Sequence, residues 1–227
     1  MSRIIAVLCE KGGSWKSALS TMLLERLRAE RQNITIADVD FLNSGLITEI
    51  YPDALRVNPL YRDELVNLFR KPLSGQSILI DGGANVGFRL YEFFAEEEPK
   101  LAEELFAADV KITIVVPLTS DPKAQKSPSI YRQMFPRADF IMAFPRETFG
   151  DFESEPLRAP EGFEECPSFD IPLAPPALVR AYLKHKRSFA YIAGAREPEF
   201  AELRPFALEY LDQFNAQLDR VINQLMS

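Results

Sequence analysis

Two lysines, Lys11 and Lys16, bracket Gly12, Gly13, Ser14 and Trp15 and lead into Ser17 and Ala18. Residues of these types in this order can bind phosphate. Glycines let backbone N–H groups converge on one point, a lysine adds a full positive charge, and a hydroxyl at the head of a helix can hold a divalent cation. In this reading Gly12, Gly13, Ser14, Trp15, Lys16, Ser17 and Ala18 form the binding loop. Lys16 reaches the β- and γ-phosphates and Ser17 holds Mg2+. The plain alternative is a glycine-containing turn with a chance lysine. The apolar run 4–8 before the loop and the amphipathic stretch after it make that alternative a poor one.

Acidic groups complete the set. Asp38 and Asp40 close a second apolar run, and Asp81 closes the run Ile78-Leu79-Ile80. A carboxylate at the C-terminal end of a parallel strand faces the crevice where ligands sit. Asp81 would bind a water on Mg2+, and Asp40 would orient an attacking water or join the metal shell. A strand-ending Asp alone is weak evidence, because many are turn formers. The loop, Asp40 and Asp81 in this order carry more weight together.

The elements that must position these groups follow from hydrophobic patterning. Short apolar runs with little alternation at 3–9, 34–38, 77–81, 110–117, 140–144 and 168–171 predict strands covered on both faces. Helical patterns fill the gaps at 17–31, 61–70, 88–108, 122–134 and 176–186. Strands alternating with helices predict an α/β fold, a mostly parallel sheet with helices on both faces. Apolar residues recurring from Phe200 to Leu225 predict one long C-terminal helix over 199–225. Seven acidic residues and four prolines within 145–167 predict an acidic, mobile surface loop or insertion. The whole of 1–227 reads as a single domain.

Composition excludes several classes. The apolar and charged shares, 47% and 26%, are those of a chain with a packed core and not of a disordered one. The longest apolar stretches, such as 112–118, are too short to cross a bilayer, and 4–8 lacks the cleavage site of a signal sequence. A net charge of −7 argues against coating nucleic acid with the whole surface. Cys9 and Cys166 make no disulfide framework and read as reduced thiols, so the cytoplasm is the expected setting. The lone His185 leaves no His-dependent triad. Arg180, Lys184, His185, Lys186 and Arg187 form a basic cluster that reads either as a phosphate contact or as charges complementing a helix C-terminus.

Lys11-Gly12-Gly13-x-x-Lys16-Ser17 resembles the deviant Walker A motif of the ParA/MinD ATPases, which read KGGxGK[ST]. Asp38-Val39-Asp40 is similar to their second-strand DxD element, and 78–81 to their Walker B strand. The resemblance implies a three-layer P-loop NTPase-like fold that binds ATP and Mg2+ and releases ADP. It implies Lys11, Lys16 and Asp40 as catalytic residues, Ser17, Asp40 and Asp81 as metal contacts, and a homodimer in which Lys11 reaches phosphate across the interface. DNA or a DNA-bound protein would be the partner, in plasmid partitioning or conjugative transfer. The segment 146–150, with Asp81-Gly82-Gly83-Ala84, is more loosely similar to the conjugal transfer protein TraL. Iron–sulfur ATPases of the same superfamily are set aside, since no cysteine lies between Asp81 and Cys166. Phe144-Pro145-Arg146 lacks the asparagine that the family places at the base, so the preferred purine stays open.

Trp15 stands where the family has glycine, and Glu10 where the usual pattern has its leading glycine. A positive φ at residue 15 would strain a tryptophan by about 1–3 kcal/mol, and burying the indole would return a similar amount. Three outcomes follow: the indole swings out and leaves an ATP site, it permits binding with poor hydrolysis, or it plugs the site. The last would make the chain a pseudo-ATPase adaptor working through protein contacts.

Overall fold

The computed structural model describes residues 2–41, 46–146, 148–149, 152–153 and 157–226. Its seven-stranded sheet has the order β3-β2-β4-β1-β5-β6-β9, parallel throughout. The strands are β1 (Arg3–Val7), β2 (Ile34–Val39), β3 (Leu55–Val57), β4 (Ser77–Gly82), β5 (Lys111–Pro117), β6 (Asp139–Pro145) and β9 (Ser168–Ile171). Parallel neighbours need long crossovers, and helices supply them: α1 (Lys16–Ala29), α2 (Leu46–Ile50), α3 (Arg62–Arg70), α4 (Val86–Glu92), α5 (Pro99–Ala107), α6 (Pro122–Met134) and α7 (Pro176–His185). The chain closes with α8 (Phe189–Gly194), α9 (Arg204–Leu218) and α10 (Ile222–Met226).

Side chains alternate across a strand, so β1 feeds two cores. Ile5 and Val7 pack with α1 and the C-terminal helices, while Ile4, Ala6 and Leu8 pack with α3 to α6. These are the two interfaces of a three-layer α/β architecture, as expected from the strand pattern. The parallel register sets Asp38 opposite Asp81 at the C-terminal ends of β2 and β4. One crevice therefore receives both carboxylates.

Two expected helices are divided, and in each a new helix begins at a proline, Pro99 in one and Pro205 in the other. Over 88–108 the chain forms α4, a π-helical stretch Phe93–Glu97, then α5 starting at Pro99. Over 199–225 it forms a 3-10 turn Pro198–Phe200, then α9 with Pro205 in its first turn, then α10. Proline has no N–H and its ring collides with the carbonyl four residues back, so it starts a helix but does not continue one. The short α2, β3 and α8 were not anticipated.

The acidic stretch 145–167 lies partly outside the described residues. Within it, β7 (Thr148–Phe149) pairs antiparallel with β8 (Phe152–Glu153). Phe163 is buried against Phe140, with the Arg132 guanidinium 3.7 Å from its ring centroid, so this end of the stretch is packed.

One contact joins α4 to α6 behind the loop. A Cβ at Gly87 of α4 would sit 2.3 Å from Tyr131 Cε1. Tyr131 is fully buried and donates from its hydroxyl to Glu10 Oε1 at 2.5 Å. Gly87→Ala is expected to destabilise the chain by about 1–3 kcal/mol, lowering Tm by roughly 3–10 °C in a thermal scan. An unchanged Tm would contradict this packing.

Candidate functional site

The turn between β1 and α1 is built from two left-handed residues, Gly13 at φ 73° and Trp15 at φ 67°, with Ser14 between them. Such alternation curls successive N–H groups toward one point and makes an anion-binding concavity. The N-terminal partial charge of α1 is added to it. The Trp15 carbonyl accepts from the N–H of Leu19 at 2.8 Å, so the loop runs directly into the helix. A left-handed tryptophan costs about 1–3 kcal/mol and persists only where its surroundings hold it. The half-buried indole packs against the core beneath α1.

Lys16 and Ser17 open α1. Lys16 is 8% exposed and its Nζ donates to the Lys11 carbonyl at 2.8 Å and to Ser14 Oγ at 3.3 Å. Burial lowers its pKa, opposed by Cys9, Asp81, Glu10 and Asp40. Ser17 donates to Asp81 Oδ2 at 2.7 Å, and Ser20 to Asp81 Oδ1 at 2.8 Å. The two serines stand three residues apart on one helix face, so a single strand-end carboxylate anchors the first turn of α1.

Asp81 is 5% exposed, and burial pushes its pKa up to about 6 despite both hydroxyls and Lys16. Asp38, 4% exposed, is pushed up to about 7 by burial and then by Asp81 and Asp40. Asp40 lies against the end of β4, where a Cβ on Gly83 would come 2.7 Å from its Cγ and Oδ1. These groups border an open cavity of about 680 Å3 with Gly12, Gly13, Lys16, Ser17 and Asn85. A larger cavity of about 840 Å3 lies near the N-terminal ends of β5 and β6. That is the wrong end of a parallel sheet for a ligand crevice, so we place the site at the smaller one.

Of the expected site residues, Gly12, Gly13, Lys16, Ser17, Asp40 and Asp81 thus border one cavity. Four expected residues sit elsewhere. Ser14 is buried and its hydroxyl turns back onto the Lys11 carbonyl at 2.9 Å. Trp15 and Ala18 border a neighbouring cavity and not the 680 Å3 one. Lys11 also points away, its Nζ 3.0 Å from Asp121 Oδ2 at the N-cap of α6. The N–H of Lys123 and the Lys11 ammonium hold the Asp121 carboxyl below its usual range.

Ser20, Tyr131 and Asp121 escaped the motif reading, and Glu10 entered it only as a departure from the pattern. Ser20 carried a signal, its spacing from Ser17. Glu10 is raised by burial, offset by the Tyr131 hydroxyl, Lys16 and the N–H of Asn85, and so braces the loop from behind. In the basic cluster, Lys186 pairs with Glu49, His185 lies 3.7 Å from Glu199, and Arg187 stacks over Tyr191. These pairs favour the helix-terminus reading for the cluster.

Among the described residues no three His, Cys, Asp or Glu side chains gather as a metal site on their own. Ser17 with Asp81 nonetheless fits a hard divalent cation: the donors are all oxygen, and the carboxylates beside them repel one another. Mg2+ commonly keeps several waters and takes the remaining oxygens from phosphate.

The raised carboxylates set a pH dependence. A carboxyl whose folded pKa exceeds its unfolded value favours the fold when protonated, and that gain is lost as pH rises through the folded pKa. For Asp38 and Asp81 the window runs from their ordinary 3.8 up to about 7 and about 6, and Glu10 and Glu25 act in the same direction. The ligand-free chain is expected to melt several degrees higher at pH 5.5 than at pH 8, with millimolar Mg2+ narrowing the gap. A higher Tm at pH 8 would contradict the carboxylate cluster.

No protein-family model and no curated protein matches this chain. Solved structures do. The MinD cell division protein of Aquifex aeolicus aligns at 14% identity and TM-score 0.52, covering 93% of this chain and 98% of that one. A ParA family ATPase from Chlorobium tepidum aligns at 13% and 0.51, covering 92% and 97%. Apo McdA from Cyanthece aligns at 13% and 0.50, covering 93% and 100%. At such identity the likeness speaks for the fold alone: this chain carries the three-layer α/β architecture of the MinD and ParA-family ATPases.

Proposed function

We propose that this chain is a ParA/MinD-like protein that binds ATP with Mg2+ and is a weak or partner-stimulated ATPase. The observation that carries the reading is the single crevice in which the left-handed loop, the Lys16 ammonium and the Ser17–Asp81 pair at 2.7 Å meet. Lys16 would neutralise the β- and γ-phosphates, and loop N–H groups would bind their oxygens. Ser17, Asp81 and Asp40 would hold the hydrated cation, which supplies charge neutralisation between phosphates. Asp40 would also orient the water attacking the γ-phosphate in line.

Lys11 is the catalytic residue that a single chain does not deliver to its own crevice. The family resemblance assigns this lysine to the partner's phosphates in a homodimer, and its half-exposed pair with Asp121 is weak enough to exchange. Low turnover by the lone chain and stimulation by a partner fit that arrangement. DNA or a DNA-bound protein is the partner class the resemblance suggests, in cytoplasmic plasmid partitioning or conjugative transfer. No described helix is long and apolar enough to cross a membrane. The TraL-like segment 146–150 lies partly outside the described residues.

The adaptor reading rested on Trp15 filling the crevice, and the indole borders a different cavity. Binding of ATP by the native chain, lost in Lys16→Ala, tests the proposal. Equal affinity in both would remove Lys16 from the site.

A further inference from the structure

At the opposite end of the sheet from the crevice, an apolar cavity of about 200 Å3 lies beside the start of β5. Its walls include Tyr91, Phe94, Leu105, Phe106, Ile112 and Phe135. That volume is below the range of a small-molecule site and suits a bulky apolar side chain or two. The walls are held in place. Phe94 lies edge-on to Phe69 and Phe93, with ring centroids 4.6 and 5.1 Å apart, and the Arg137 guanidinium sits 4.0 Å over the Phe106 ring.

The backbone beside the cavity is unusual. The Glu98 N–H donates to the Phe93 carbonyl, five residues back, at 2.7 Å, at the end of the π-helical stretch that brings Phe94 and Ala95 to the groove. Such π-helical turns are rare and are frequent at functional sites. Phe88 and Tyr91, one turn apart on α4, remain 41% and 39% exposed and continue the apolar strip along that helix. Charge then frames the strip. Between Phe88 and Asp109 the chain carries seven acidic residues and two basic ones, Arg89 and Lys100. Arg89 is occupied by Glu97, and Glu98 by Arg62. Glu92, Glu96, Glu103 and Asp109 are exposed and make no ion pair among the described residues.

We infer that this groove docks a partner protein through an amphipathic helix, one that presents a bulky apolar anchor flanked by lysine or arginine. The groove runs between helical walls, the setting in which a further helix packs its apolar face. Its aromatic lining is the type that interface cores favour, and its carboxylate rim selects a basic partner. A second copy of this chain, at a net charge of −7, is the poorer match. No residue of the groove borders the phosphate crevice, so the inference stands apart from the nucleotide reading.

The probe is a labelled helical peptide with leucines on one face and lysines beside them. Two relatives accompany it, one with serine for leucine and one with glutamate for lysine. Fluorescence anisotropy is read with the native chain, with Ala102→Arg, and with Glu92→Lys combined with Glu103→Lys. Ala102 lines the groove, and a long cation there fills it and repels the probe. Glu92 and Glu103 are exposed, so the charge-reversed chain keeps the test open should Ala102→Arg fail to fold. The leucine–lysine peptide is expected to bind the native chain saturably, one per chain, with each relative about tenfold weaker or more. Both variants should lose about tenfold or more in affinity while melting within a few degrees of the native chain. Absence of saturable binding overturns the inference. So does equal binding by the serine peptide, or an affinity that neither variant changes, because charge alone or another surface would then hold the probe. Self-association of the native chain in sedimentation that Ala102→Arg abolishes also overturns it, since a second copy would be the occupant.

Discussion

Lys16→Ala is expected to lower ATP affinity by roughly thirtyfold to a few thousandfold. Removing one partner of a buried, hydrogen-bonded charge pair costs about 2–5 kcal/mol, and each 1.4 kcal/mol is tenfold in affinity. Lys16 is 8% exposed, so the triphosphate would meet a largely desolvated ammonium with little competing water. Without ligand the same residue contributes little, because burial disfavours its charge and its two bonds go to the Lys11 carbonyl and Ser14. In Lys16→Ala, Ser14 keeps its own bond to that carbonyl at 2.9 Å, so the loop has a remaining internal tie. The variant should therefore melt within a few degrees of the native chain while ATP binding, followed by calorimetry, collapses. A collapse of both together would instead mark Lys16 as a structural residue.

Asp81→Asn should separate stability from function in the opposite sense. At pH 8 the Asp81 carboxylate is ionised in a buried site that pushes its pKa to about 6. Holding it ionised costs the fold on the order of 2–3 kcal/mol against an unfolded chain. Asparagine removes that cost and the repulsion with Asp38, while its oxygen still accepts from one serine hydroxyl. The ligand-free variant is expected to gain about 1–2 kcal/mol at pH 8, seen as a Tm several degrees higher. The dependence of ATP affinity on Mg2+ should vanish in the same variant, since the cation loses its charged partner beside Ser17. Were Asp81 only an anchor for α1, the substitution would lower Tm and leave the Mg2+ dependence intact. Destabilising groups kept at one crevice are what a functional site leaves behind.

The sequence carried the sheet well because β1, β4 and β5 are buried on both faces and so read as unbroken apolar runs. It carried β3 poorly: three residues of an edge strand, with Arg56 exposed, give too little pattern. The helix expectations over 88–108 and 199–225 followed apolar spacing past Pro99 and Pro205, where backbone sterics override periodicity. At the site, Lys16, Ser17 and Asp81 were legible because their spacing and strand-end positions fix them locally. The direction of the Trp15 side chain was not, since it depends on whether the turn takes a left-handed φ there. The Glu10–Tyr131 bond and the Lys11–Asp121 pair join residues more than a hundred positions apart, a distance no local pattern encodes.

The most direct test of the central claim is a calorimetric titration of the native chain with ATP, in Mg2+ and again in excess chelator. One saturable site per chain, weakened about tenfold or more without Mg2+, is the result this account predicts. No saturable heat in either buffer, from a chain shown to be folded, would contradict it.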